Sequence, residues 1–110
     1  MTHEQYMKLA IEKTKEGIFT GQSPFGAIIV KNGKVVASAH NRVWKTCDPT
    51  AHAEVNAILQ GAERGIPKGF TAYVTHFPCL NCSKQLLQVG CKRVVYINEY
   101  RMDDYAKYLY

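Results

Sequence analysis

The chain contains 110 residues, of which 46% are apolar and 21% are charged, and its 14 basic and 9 acidic residues give a net charge of +5. This size and composition predict one globular domain over residues 1–110 and exclude disordered and fibrous proteins. No apolar run approaches the ~20 residues of a membrane span, so we expect no membrane partner. The positive charge favours anionic partners, but the basic residues are scattered and do not by themselves indicate nucleic acid.

The first forty residues predict a helix followed by a β-hairpin. Apolar residues recur at helical spacing over residues 3–17, which predicts an amphipathic helix. Residues 25–30 and 35–40 are rich in residues that favour strands. Between them lie Asn32 and Gly33, a pair that is typical of a two-residue turn joining antiparallel strands.

The middle of the chain predicts a loop, a helix and a third strand. Residues 41–48 are predicted to form a polar loop. Thr50 is a residue type that caps helices, and the pattern after it predicts a helix over residues 51–61. Residues 72–75 are predicted to form the third strand.

The last third of the chain predicts two further helices around a fourth strand. Pro78 stands where a helix can begin and Gly90 where it can end. Residues 94–97 predict a strand, and residues 102–110 predict a short final helix.

Helices and strands therefore alternate in the order α-β-β-α-β-α-β-α. This order predicts an α/β fold, a three-layer α/β/α sandwich with a mixed central sheet. The hairpin strands should be antiparallel, and the later β-α-β units should be parallel with right-handed crossovers.

Four cysteines, at positions 47, 79, 82 and 91, require an explanation. The N-terminal residues show no basic region followed by an apolar stretch, which favours a cytoplasmic and therefore reducing location. In such a compartment the pair Cys79 and Cys82, separated by two residues, is more typical of a metal or redox site than of a disulfide.

Two short stretches concentrate the chemistry, Thr-Ala-His-Ala-Glu at residues 50–54 and Pro-Cys-Leu-Asn-Cys at residues 78–82. At a helix start Cys79 and Cys82 share one face, so both sulfur atoms can reach one ion, and the helix N-terminus favours their thiolate form. With His52 they make a three-ligand zinc site. Zinc prefers four ligands, so such a site leaves one position for water.

Glu54 is the natural acid/base beside this site, because a carboxylate can take a proton from water and pass it to a ring or leaving nitrogen. Residues two apart on an ideal helix lie roughly 200° apart, so His52 and Glu54 should not both face one ion. We therefore predict that His52 lies in the irregular first turn of the helix and that the Glu54 side chain extends around the helix toward the same ion.

His-x-Glu followed by Pro-Cys-x-x-Cys is the signature of zinc-dependent nucleobase deaminases. The sequence resembles the cytidine and deoxycytidylate deaminase superfamily over nearly the whole chain. This resemblance implies a cytidine deaminase-like fold and a hydrolase that acts on C–N bonds of cyclic amidines and releases ammonia. It implies Zn²⁺ held by His52, Cys79 and Cys82, with Glu54 as proton shuttle.

The resemblance also implies contacts with the substrate. Asn41 matches an asparagine that hydrogen-bonds substrate. The resemblance also implies that backbone and side chains near Phe25, Ala51, Ala53 and Phe77 line the pocket. Trp44, which could stack on a base or only cover its loop, is open to both interpretations.

The two halves of the chain resemble different members of the superfamily. Residues 24–33 and 48–58 are similar to guanine deaminases and tRNA adenosine deaminases, whereas residues 73–82 and 100–106 are similar to deoxycytidylate deaminases. We favour a cytosine-type substrate, which would be a small base, nucleoside or nucleotide. The reason is that we expect the second motif and its flanking residues to determine which substrate is bound. Guanine is the first alternative, and adenosine in tRNA is the second.

The resemblance further implies a homodimer or a higher homo-oligomer, and the tyrosine-rich end of the chain, residues 100–110, suits such a contact. Nucleic acid is a less favoured partner, because we expect no counterpart in residues 1–110 of the basic aromatic C-terminal helix with which such enzymes usually bind RNA. A non-catalytic structural zinc module is the remaining alternative. It would need a fourth protein ligand, for which His76 and Cys47 are the candidates.

Overall fold

A mixed four-stranded sheet forms the centre of the computed structural model, which describes residues 2–48, 50–65 and 68–98. Its strands are β1 (Gly26–Lys31), β2 (Lys34–His40), β3 (Phe70–His76) and β4 (Cys91–Asn98). Their order in the sheet is β2-β1-β3-β4. β1 is antiparallel to both β2 and β3, and β3 is parallel to β4, so β2, β3 and β4 run in one direction, as the β-α-β units predict.

Helices cover both faces of this sheet, which confirms the three-layer α/β/α sandwich. They are α1 (His3–Phe19), α2 (Val43–Thr46), α3 (Ala53–Glu63) and α4 (Leu80–Gln88). On one face α1 buries Tyr6, Met7 and Ala10 against the sheet. On the other face α3 and α4 bury Ala57 and Leu86 against it.

β1 packs against the helices on both sides of the sheet, because both of its faces are buried. Ala27 and Ile29 face the core beneath α3 and α4, while Ile28 and Val30 face the core beneath α1. Side chains along a strand alternate between faces, so a central strand covered on both sides is a continuous apolar run. The sequence Ala-Ile-Ile-Val at residues 27–30 is such a run.

The predicted turn between the hairpin strands is confirmed. Asn32 has a φ of 51° and Gly33 a φ of 75°. Positive φ at both central residues defines a type I′ turn, whose twist matches that of the two strands. A change of register between Ile29 and Val30 interrupts the pairing of β1 with β2.

The structure differs from the predictions in the loop after β2 and in where the helices α3 and α4 begin. Residues 43–46 form the single-turn helix α2 within the predicted loop. α3 begins at Ala53, two residues after the predicted start, and runs to Glu63. Thr50 does not cap α3, because the N-cap residue is His52, two residues later, and the Thr50 hydroxyl donates to Asp48 Oδ1 at 2.6 Å. α4 begins at Leu80, after Pro78.

Two predictions concern the ends of the chain and the membrane. The final helix over residues 102–110 lies outside the described residues, as does the tyrosine-rich contact surface. Within the part of the chain that the structure describes, no helix combines the length and the apolar character that a membrane crossing requires.

Candidate active site

The N-termini of α3 and α4 meet at the candidate metal centre. His52 is the N-cap residue of α3, with φ −69° and ψ 157°, and Cys79 is the N-cap residue of α4, with φ −62° and ψ 168°. Neither side chain forms a capping hydrogen bond with its own helix. Cys82 follows in the first turn of α4. The partial positive charge of two helix N-termini is therefore directed at these side chains, which favours anionic donors.

The three donor atoms lie at separations that fit one zinc ion. His52 Nδ1 is 3.3 Å from Cys82 Sγ and 3.7 Å from Cys79 Sγ, and all three atoms lie within 4.8 Å of one another. Zinc–sulfur bonds of about 2.3 Å and zinc–nitrogen bonds of about 2.0–2.1 Å place tetrahedral neighbours about 3.6 Å apart. The donor set thus fits zinc, the cofactor that the motifs predict.

The extended backbone of His52 resolves the expected conflict with Glu54. Because His52 precedes the first helical residue, it is not bound by helical periodicity and can face the same point as Glu54. Burial raises the pKa of the Glu54 carboxyl, whereas its hydrogen bonds and the nearby His52 oppose that increase. Burial and the Glu54 carboxylate likewise raise the pKa of the Cys82 thiol. A divalent cation would compensate these adjacent buried acidic groups.

A cavity of about 320 Å³ opens beside these groups, within the size range of small-molecule sites. The cavity combines aromatic, aliphatic and polar walls. Its lining residues are Ser23, Phe25, Asn41, Val43, Trp44, His52, Glu54, Thr75, His76 and Cys79. Cys82 lies behind this wall and is 1% exposed. The structure therefore brings the predicted residues Phe25, Asn41, His52, Glu54 and Cys79 to one cavity.

Asn41 and Phe25 are fixed in that wall by the sheet. The Asn41 N–H donates to the Phe25 carbonyl oxygen at 3.0 Å, and its side-chain Oδ1 accepts from the Val43 N–H at 3.0 Å. The Phe25 ring packs edge-on against His76, with ring centroids 4.8 Å apart. Burial lowers the pKa of His76, which favours the neutral form of its imidazole.

Two residues that the resemblance assigns to the pocket lie elsewhere. Ala53 is fully buried in the core beneath α3 and does not line the cavity. The Phe77 ring packs edge-on against Tyr96, with centroids 4.9 Å apart, and lines a separate depression beside Leu87. The expected substrate contacts of these two side chains thus receive no support from their positions.

Three residues that line the cavity were not predicted from the sequence, namely Ser23, Val43 and Thr75. The indole Nε1 of Trp44 donates to Ser23 Oγ at 3.3 Å, which joins α2 to the loop before β1. The one available signal was their closeness in sequence to Phe25, Asn41 and Cys79. Nothing in the chain between these segments indicates that they meet.

A closed structural zinc site is not supported by the described residues. Within residues 2–48, 50–65 and 68–98, the donor group contains His52, Cys79 and Cys82 and no fourth protein ligand. Cys47, one candidate for that role, is an exposed free cysteine. His76 lines the cavity but does not join the donor group. A centre with three protein ligands that borders a cavity leaves its fourth position open to that cavity.

Comparisons with known proteins agree with this geometry. Residues 1–98 match the family model of the cytidine and deoxycytidylate deaminase zinc-binding region. A tRNA-specific adenosine deaminase from Aquifex aeolicus is 39% identical over an alignment of length 99 that covers 87% of this chain and 66% of that protein. The chain spans 66%, 53% and 41% of the length of three curated relatives that it matches.

Solved structures of two relatives share the fold. The structure of a guanine deaminase from Bacillus subtilis has a TM-score of 0.86 and 36% sequence identity, covering 98% of this chain and 70% of that one. The structure of a dCMP deaminase from the cyanophage S-TIM5 has a TM-score of 0.75 and 32% identity, covering 97% of this chain and 90% of that one.

Proposed function

Because this chain belongs to the cytidine and deoxycytidylate deaminase family, we propose that it hydrolyses the C–N bond of a small cytosine-type base, nucleoside or nucleotide and releases ammonia. One observation carries the proposal. The buried residue Glu54 and the candidate metal ligands His52 and Cys79 line the same cavity, so a ring held there would lie beside all three.

Zinc would be held by His52 Nδ1 and by the sulfur atoms of Cys79 and Cys82. When bound there, zinc would act as a Lewis acid and make water a nucleophile at neutral pH. The remaining steps belong to the chain's own residues, of which Glu54 is the group that moves protons.

Glu54 would transfer protons in both directions during the reaction. As water adds to the ring carbon that carries the amino group, Glu54 takes a proton from the water and gives it to the ring nitrogen. It then passes the second proton to the amino group, so that a C–O bond has formed, the C–N bond breaks and ammonia leaves. A carboxyl whose pKa is raised by burial suits this role, because it accepts a proton more readily than an exposed carboxylate and can then give it back.

The cavity walls would orient the ring. The Asn41 side chain, whose Oδ1 is held by the Val43 N–H, presents a fixed amide to the cavity. Phe25 and His76 supply flat surfaces for stacking, and Trp44 lies at the exposed side, where its own side chain is 71% exposed. Such walls exclude water from one side of a small planar ligand and leave the other accessible.

The choice of a cytosine-type ring rests on residues 73–82 and on the dCMP deaminase, of whose structure this chain covers 90%. Guanine is the second candidate, since the guanine deaminase structure has the higher TM-score and identity of the two. The 39% identity to a tRNA-specific adenosine deaminase keeps adenosine in tRNA as a third. The homo-oligomer and the cytoplasmic location stay predictions.

Ammonia release from the zinc-loaded protein tests the proposal. The substrates would be cytosine, cytidine, deoxycytidylate, guanine, guanosine, adenosine and a tRNA anticodon stem-loop. Ammonia release from cytosine-type substrates alone supports the proposal. Release from guanine alone would favour a guanine deaminase, and release from the stem-loop alone would favour a tRNA adenosine deaminase. Zinc binding without release from any substrate would support a binding role instead.

Glu54→Gln is the variant that separates catalysis from metal binding. We expect it to keep zinc and to lower kcat by about 10²- to 10⁴-fold, because the amide cannot transfer the protons. The matched control is Glu63→Gln, which changes an exposed glutamate at the end of the same helix and should leave kcat unchanged. Near-native turnover by Glu54→Gln would show that another group moves the protons.

A further inference from the structure

Asn56 lies in the second turn of α3, half-buried between this helix and the end of β2. Its side-chain Nδ2 is 3.0 Å from the His40 carbonyl oxygen and 3.3 Å from the Ala51 carbonyl oxygen. Both partners are carbonyl oxygens, which only accept hydrogen bonds, so the side chain must present its NH₂ group to them. One amide therefore donates to two separate segments of backbone.

Those two segments carry the groups of the proposed site. His40 immediately precedes Asn41, and Ala51 immediately precedes His52. The Ala51 carbonyl oxygen also accepts a hydrogen bond from the Arg42 N–H at 2.9 Å. The residues on both sides of Asn41 are therefore linked by hydrogen bonds to the start of α3, His40 through Asn56 and Arg42 through Ala51. The Asn56 amide thus joins the end of β2 to the residues that lead into α3.

We propose that Asn56 is a positioning residue, which holds the backbone of Asn41 and of His52 so that the substrate contact and the metal ligand face one point of the cavity. Asn56 is not among the residues that line the cavity and does not belong to the group of candidate metal ligands. Its effect would pass through the two carbonyl groups. The substrate part of this inference rests on the proposed function, while the metal part does not.

Gln60 offers a matched control one turn further along α3. It is also half-buried, and it also links α3 to β2, since its Oε1 accepts from the Ser38 N–H at 2.6 Å. The two amides differ in the group that they use. Asn56 donates through its NH₂, whereas Gln60 accepts through its oxygen.

This difference makes Asn56→Asp and Gln60→Glu an informative pair. Each substitution replaces an amide by a carboxyl group on the same helix and adds one negative charge. The first turns two hydrogen bonds into contacts between oxygen atoms, whereas the second keeps its acceptor. Charge is therefore matched between the variants, and the hydrogen bonding differs.

The experiment measures kcat, KM, zinc affinity by competition with a chelator, and thermal unfolding for the wild type and both variants. We expect Asn56→Asp to raise KM and to weaken zinc binding by about 10- to 100-fold each, the range found for groups that orient metal ligands. Gln60→Glu should stay within about twofold of the wild type on both measures. If Asn56→Asp does not fold, Asn56→Leu and Gln60→Leu, which each delete one link between α3 and β2, replace the pair.

A purely structural role for Asn56 would give a different result. The Asn56 variant would then unfold at a lower temperature but keep the KM and the zinc affinity of its Gln60 counterpart, and this outcome would overturn the inference. Failure of the proposed function looks different again, because the wild type itself would release no ammonia. In that case the zinc affinities of the pair still decide whether Asn56 positions His52.

Discussion

Gly26 lies where the first residue of β1 passes closely beneath α1. A Cβ added there would collide with the Ala10 carbonyl oxygen and lie 2.5 Å from Thr14 Oγ1. We expect Gly26→Ala to lower the free energy of unfolding by about 1–3 kcal/mol, as is usual when an extra carbon enters a packed core. Urea denaturation of both proteins, with zinc present, would measure the difference.

The companion change Thr14→Ala tests the cause of that loss. It removes one of the two colliding atoms, while the Ala10 oxygen belongs to the backbone and stays. The double variant should therefore recover part of the stability that Gly26→Ala loses. A Gly26→Ala protein as stable as the wild type would contradict the close approach of α1 and β1.

At the scale of single residues, the sequence predicted the side chains whose chemistry is tied to local spacing. Cys79 and Cys82 are three apart, and one helical turn is enough to bring such a pair together. Thr75 and Val43 gave no such signal, since they reach the cavity only through strand pairing and the path of a loop. The ring of Phe77, a residue that the resemblance assigns to the pocket, packs against Tyr96, a contact that its position in the sequence does not indicate.

At the scale of elements, α2 closes one side of the cavity and is tied to the loop before β1. The Trp44 indole donates to Ser23 Oγ, and the Lys45 N–H donates to Gln22 Oε1 at 3.1 Å. We expect Trp44→Ala to raise KM about 5- to 100-fold, the loss of one stacking contact of about 1–3 kcal/mol, and to leave kcat nearly unchanged. Steady-state kinetics on the preferred substrate would measure this.

Trp44→Phe is the control for that experiment, since it keeps a flat ring but removes the Nε1 donor. It should raise KM less than Trp44→Ala does. Because Trp44 is 71% exposed, neither variant should unfold much more easily than the wild type. Equal KM values for Trp44→Ala and the wild type would mean that α2 does not touch the substrate.

The elements were predictable where a periodic pattern is long enough to recur. The 17-residue α1 repeats its helical pattern several times, whereas β1 was recognised as an apolar, β-rich run before the Asn-Gly turn. The four residues of α2 contain one turn, too few for a period to show. The start of α3 was placed too early because Thr50 belongs to a turn in which Asp48 accepts from its N–H and its hydroxyl, and the helix begins only after the extended residue His52.

At the scale of the whole molecule, zinc would join two helices that lie on the same face of the sheet. Its ligands come from the N-termini of α3 and α4, so removal of the metal frees the two helix ends from each other. We expect a chelator to lower the Tm by about 5–10 °C and added zinc to restore it. Thermal unfolding with and without zinc would measure the shift.

Two cysteine variants give that measurement its controls. Cys82→Ala should lose the zinc-dependent shift, because it removes a buried ligand. Cys47→Ala changes an exposed cysteine outside the donor group and should keep the full shift. A shift that persists in Cys82→Ala would place the bound zinc elsewhere on the protein.

The donor residues are far apart in the chain, His52 being 27 residues before Cys79 and 30 before Cys82. β3 lies between them, and it takes its place in the sheet by pairing with β1, where Ala27 faces Val74. Closing loops of this length costs chain entropy before any contact compensates for it, so we expect the donors to meet after the slow part of folding. Contacts that form after that barrier slow unfolding and leave the folding rate unchanged. We therefore expect the supply of zinc to change the lifetime of the folded molecule and to leave the speed at which it folds unchanged.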